Sequence, residues 1–108
     1  MSGQGGRKDD NQKNRIELVH PTYIEATGEV LTLGAIKYNS WNWYKGIVYS
    51  RCFGALLRHL FAWWRGEDKD KETGKSHLWH ASCELMFLVT FEAEGRSELD
   101  DRPRREIK

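Results

Sequence analysis

The stretch ALLRHLFAWWRGEDKDKETGKSHLWHASCELMFLV, residues 55–89, holds two apolar periodic segments separated by a charged interval punctuated with glycine. Before the interval Phe53, Leu56, Leu57, Leu60, Phe61 and Trp64 recur at three- and four-residue spacing; after it come Leu78, Ser82, Leu85, Met86 and Val89. Residues three and four apart share one face of a helix, so both segments read as amphipathic helices. Ser50 suits the N-cap of the first and Gly66 its stop, which predicts a helix over 50–65. Ser76 caps the second, over 76–94, with Gly95 beyond it. A short connection makes the two helices antiparallel neighbours.

Working outward, Pro21 fits a first helical position, and Ile24, Thr27, Leu31, Ala35 and Tyr38 follow at helical spacing, which predicts a third helix over 21–38. Residues 1–15 are glycine-rich and charged and read as an extended arm. Residues 96–108, with Asp100-Asp101-Arg102-Pro103, read as a charged tail. The expectation is one all-α domain over residues 1–108, a small bundle of three main helices in a core over 21–95. No internal repeat interrupts it.

Composition narrows the function classes. Hydrophobic residues are 39% and charged residues 31% of the 108, with a formal net charge of +1. That balance supplies no global attraction to nucleic acid or a membrane surface, so neither partner is expected. The longest apolar run, near Leu85–Val89, is too short to span a bilayer, and MSGQGGRKDD has no apolar signal region; a cytoplasmic protein is expected. Cys52 and Cys83 fall in helical patterns and form no Cys-x-x-Cys pair, so buried, reduced thiols are expected. Five Trp, four Tyr and four Phe exceed what a domain this small covers alone, which implies a homo-oligomer.

Three of the four histidines lie near the 66–75 interval. His77, His80 and Glu84 stand at i, i+3 and i+7 on one helix face and are adequate transition-metal ligands, or a polar face bonded to the preceding helix. Glu67, Asp68, Asp70 and Glu72 suit Mg²⁺, with Glu67 and Asp70 on one side if the helix continues a turn; a solvated acidic loop is the plainer reading. An EF-hand does not fit, because the glycine comes one place late and Trp79 occupies the final ligand position. Glu25 and Glu29, at i and i+4, can add carboxylates or remain exposed. Arg58 and His59 interrupt an apolar helix, where an arginine needs an anionic partner such as a phosphate. Tyr38, Trp41, Trp43, Tyr44, Trp63 and Trp64 can stack a base or fill a core. Arg7 and Lys8, flanked by Gly5 and Gly6, can wrap phosphates, although no P-loop or dinucleotide fingerprint is present.

The series GGRKDD, EVLTLGAIKY, NWYKG, ALLRHLFAWWRGEDKDKETGKSHLWHA and DDRP resembles, in order and over nearly the whole chain, the phage dATP/dGTP diphosphohydrolase N-terminal domain family. Its members look like MazG-type all-α nucleotide pyrophosphohydrolases, which cut a nucleoside triphosphate to monophosphate and pyrophosphate. The resemblance implies Mg²⁺ or Mn²⁺ on Glu67, Asp70, Glu25 and Glu29. Here the chain departs, since the usual E-x-x-E is E-x-x-x-E between Glu25 and Glu29. It further implies His59 or Glu29 as the group orienting water. The nucleotide-binding set is Arg7, Lys8, Lys37, Tyr38, Trp43, Arg58, His59, His77 and His80, with Trp63 as another stacking candidate. The alternative reading is a non-catalytic module that sequesters a nucleotide such as a host immune signal.

Overall fold

A computed structural model describes residues 13–104. Its three helices are α1 (Pro21–Tyr38), α2 (Tyr49–Trp64) and α3 (His77–Ala93), with short 3₁₀ turns before α1, between α1 and α2 and after α3. Among the described residues there is no strand, and one isolated antiparallel bridge, Lys69 with Ser76, closes the α2–α3 loop. The fold is all-α, as the periodicity predicts.

Local chemistry sets the helix ends. Pro21 opens α1, and the His20 ring accepts the Thr22 amide at 3.1 Å. Ser76 caps α3 as expected, accepting the Leu78 amide at 3.1 Å. The start of α2 differs from the reading: Val48 is the N-cap and Ser50 lies inside the first turn. There the Ser50 amide donates to Asp101 at 2.8 Å and its hydroxyl bonds the same carboxylate, so the cap comes from a distant residue. At the other end Gly66, at φ 102°, turns the chain out of α2, with its amide on Trp63 and the Glu67 amide on Ala62, both at 3.0 Å. These paired bonds satisfy the last carbonyls, and a left-handed residue makes them possible. Helix α2 therefore ends before Glu67, and the further turn that would align Glu67 with Asp70 does not form.

The core lies between α2 and α3: Tyr49, Cys52, Cys83, Phe87, Phe91 and Leu99 are buried, with Val30, Leu31, Trp43, Ile47, Met86 and Leu88 packed against them. Tyr49 and Cys52 meet the C-terminal half of α3, whereas His59 meets its first residue, so the pair is antiparallel. Both cysteines are free and buried; burial pushes the Cys52 thiol up to about 11 and the Cys83 thiol to about 12. Helix α1 lies mainly against α3, where Thr27 and Ser82 hydroxyls bond at 2.6 Å and the Cys83 thiol donates to the Thr27 carbonyl.

Several expected core positions face outward. Ile24, Tyr38, Phe53, Phe61 and Trp64 are exposed, because α1 and α2 carry apolar residues on more than one face and each packs mainly against α3 alone. Residues 96–101 fold back: Leu99 is buried, and the Arg96 guanidinium donates to the Tyr44 and Lys45 carbonyls. The approach is close enough that a Cβ on Gly46, at φ 126°, would stand 2.9 Å from Arg96. No described helix is long and apolar enough to cross a membrane.

Candidate functional site

The end of the α2–α3 hairpin gathers the histidines that the sequence places on either side of the loop. His59 on α2 and His77 on α3 face each other through Nδ1 atoms 2.9 Å apart. His77 is buried, and its Nε2 lies 2.7 Å from Glu67 Oε2. A carboxylate only accepts, so in that bond Nε2 carries the proton. One turn along α3, the His80 ring stacks on His59 with centroids 4.6 Å apart and planes inclined by 9°. Its Nε2 bonds the Thr73 hydroxyl at 2.7 Å.

The loop is built to hold this arrangement. Asp70 Oδ1 accepts the Glu72 and Thr73 amides at 2.9 and 3.0 Å, an Asx turn that its side chain stabilises locally. The Asp70 amide donates to Lys75 and the His77 amide to Asp68, tying the loop to the start of α3. Lys75 reaches across to Glu29 on α1 at 2.8 Å. His59, Asp70 and His77 each offer a donor atom, all within 4.8 Å of one another.

Electrostatics favour the neutral forms of His59 and His80. Burial lowers the pKa of His59, and the nearby His80 and His77 add to it. Burial also lowers that of His80, against the pull of Asp70. For Asp70, burial favours the acid, but the Thr73 and Glu72 amides outweigh it and the net shift is downward. Glu84, half-buried two turns from His77, is pushed up to about 7 by burial, which the Arg58 charge only partly offsets.

The expected site residues divide into three groups. His59, His77, His80, Glu67 and Asp70 come together. Glu29, Lys37 and Tyr38 border the loop from α1: Glu29 through Lys75, and Lys37 through a pKa raised by its Tyr38 contact and, less, by Glu72. Arg58 is exposed on α2 beside this end. The others stand apart. Glu25 is exposed on α1, and Trp43 stacks on Phe87 at 4.7 Å inside the core. Arg7 and Lys8 lie outside the described residues. Glu25, Glu29, Glu67 and Asp70 thus do not gather at one point: Glu29 is paired with a lysine, Glu67 with a histidine and Asp70 with backbone amides. Thr73, which joins His80 to the loop, is missing from the expected set, although Asp70-x-x-Thr73 ahead of Gly74 is a readable turn signal.

The chain matches the sequence profile of the family described as dATP/dGTP diphosphohydrolase, N-terminal, over residues 3–102. It is also 35% identical, over 97 residues, to a dATP/dGTP diphosphohydrolase of Salmonella phage PMBT28. The similarity covers 90% of this chain and 33% of the relative, so the chain spans about a third of the length of the curated relative it matches. No solved structure matches it. With the match running from residue 3 through all three helices to Arg102, the chain belongs to the dATP/dGTP diphosphohydrolase N-terminal family.

Proposed function

We propose that this chain is the nucleotide-handling unit of a pyrophosphohydrolase that converts a purine deoxynucleoside triphosphate, dATP or dGTP, to its monophosphate and pyrophosphate. The observation that carries the reading is the convergence of His59, His77, His80, Glu67 and Asp70 at one end of the hairpin, in a chain of this family. The substrate comes from the printed name of the phage relative.

The chemistry requires little covalent work from the protein. Water attacks the α-phosphorus, the bridging bond to the β-phosphate breaks, pyrophosphate leaves and the water gives up a proton. Exposed Arg58 and Lys37 are the cations that meet phosphate oxygens, and exposed Tyr38 is the ring on which the base stacks. Trp43 drops out of that role because Phe87 and Phe91 already cover it. Of the two residues expected to orient the water, Glu29 is engaged by Lys75, whereas neutral His59 has a ring able to accept a proton.

A Mg²⁺ held by Glu25, Glu29, Glu67 and Asp70 does not fit the arrangement, since Mg²⁺ takes an octahedral shell of oxygens and these carboxylates are dispersed. The same dispersal favours the second reading, retention of a nucleotide without cleavage. The proposal also includes a homo-oligomer, in which a second copy covers exposed Phe53, Phe61 and Trp64.

Incubation with dATP, dGTP and a panel of other nucleotides, followed by chromatography before and after heat denaturation, separates these outcomes. Release of monophosphate and pyrophosphate is expected. Recovery of every nucleotide intact, after depletion by the native protein, would establish sequestration and end the hydrolase reading.

A further inference from the structure

Metal sites are recognised by donor type, by convergence and by the groups standing behind the donors. Among the described residues, the group that passes the convergence test is His59, Asp70 and His77, with donor atoms within 4.8 Å of one another. Donors bound to one ion at about 2.0–2.2 Å stand roughly 3–4 Å apart, so small side-chain rotations close this set.

The supporting shell is already in place. Glu67 holds the proton on His77 Nε2, which leaves Nδ1 free to ligate, and a carboxylate behind a ligand histidine is the usual way its tautomer is fixed. His80 stacks on the His59 ring and is itself anchored by Thr73. The side-chain hydrogen bonds of Asp70 fall on Oδ1, and among the described residues Oδ2 makes none. Such support also explains a costly feature: a part-buried histidine pair held with its two Nδ1 atoms 2.9 Å apart.

We propose that His59, His77 and Asp70 bind one divalent first-row transition-metal ion in preference to Mg²⁺. Two imidazoles and one carboxylate suit Mn²⁺, Fe²⁺, Co²⁺ or Zn²⁺ and leave positions for water and a phosphate oxygen, whereas Mg²⁺ takes oxygen donors. The purpose of the ion rests on the hydrolase reading. There, water bound to it loses a proton near neutral pH, and the proton-accepting role of the His59 ring passes to metal-bound hydroxide.

Metal-stripped full-length protein, dialysed against equal concentrations of Mn²⁺, Co²⁺, Zn²⁺ and Mg²⁺ in separate samples, tests this by mass spectrometry of retained metal and by visible absorption of the Co²⁺ form. About one transition-metal ion per chain is expected, with a Co²⁺ band in the visible and no retained Mg²⁺. Asp70→Asn keeps an oxygen for the Thr73 and Glu72 amides, and His59→Phe keeps a ring against His80. Each should weaken Co²⁺ binding at least tenfold while circular dichroism stays helical, and Glu25→Gln should leave it unchanged. Absence of the band, or Co²⁺ affinity in both variants equal to the parent's, overturns the site; if His59→Phe fails to fold, Asp70→Asn decides alone. Nucleotide cleavage supported by Mg²⁺ in protein free of transition metal would overturn the inference and leave the hydrolase standing. A bound ion with every nucleotide intact would support the site and remove the hydrolase.

Discussion

The two ends of the α2–α3 hairpin are built on opposite principles. At one end Trp43 stacks on Phe87, and Phe91 and Cys52 have no exposed surface. At the other, three imidazoles and two carboxylates stand where a second apolar layer could have been. Apolar burial stabilises without further conditions, whereas a buried polar group costs free energy unless every donor and acceptor is met. Here they are met: no buried side-chain nitrogen or oxygen among the described residues lacks a partner. The aromatic end therefore holds the helices together, and the histidine end is tolerated because a dedicated loop satisfies it.

The largest effect should come from the aromatic end. Phe91→Ala removes a side chain with no exposed surface and should cost about 3–5 kcal/mol in chemical denaturation. A loss below about 1 kcal/mol would mean that the aromatic layer is not the anchor. At the histidine end, His77→Ala leaves His59 and Glu67 without their shared partner and should cost about 1–3 kcal/mol, less than Phe91→Ala. On the proposed hydrolase reading it should also abolish nucleotide turnover, which a folded Phe91→Ala retains. Equal turnover in the two variants would erase the functional distinction between the ends.

Glu84 sharpens the comparison through pH, because it lies between the two ends. Its folded pKa of about 7 exceeds the ordinary value of 4.5, so between those limits the native state holds a proton that the unfolded chain has released. Its contribution is fully present below about pH 4.5 and is lost as pH rises through 7. Since the carboxyl is only half-buried, solvent screening reduces the effect to about 1–2 kcal/mol. Melting temperature should fall more between pH 5 and 8 in the parent than in Glu84→Gln; parallel profiles would show that Glu84 titrates normally.

The sequence carried the helices because their signals are local: period, Pro21, Ser76 and the glycines act within a turn or two. It carried the identities of His59, His77, His80, Glu67 and Asp70 for the same reason, as conspicuous polar residues around one loop. What it could not carry is which of them meet. The Glu67–Asp70 pairing fails because Gly66 ends α2 one turn early, and no spacing rule foretells that Glu67 then turns to His77. The Ser50 cap fails because Asp101, fifty-one residues away, reaches the same amide. At Ser50 a non-local hydrogen bond overrode local propensity, whereas at Glu67 a local glycine stop freed the carboxylate for a partner ten residues away.

The smallest stability change belongs to a third region, outside both ends. Trp64 is 80% exposed at the C-terminus of α2, and Phe53 and Phe61 continue its face at helical spacing. Trp64→Lys removes no internal contact of consequence, so unfolding of the isolated chain should change by no more than about 0.5 kcal/mol. If a second copy covers this face, the substitution places a charge in an apolar interface and should lower the mass measured by light scattering toward that of one chain. An unchanged assembly would move the interface elsewhere, and a monomeric parent would leave this face without a second copy. The face thus separates stability from association as the hairpin ends separate stability from chemistry, since an exposed aromatic contributes little to folding and much to any surface that covers it.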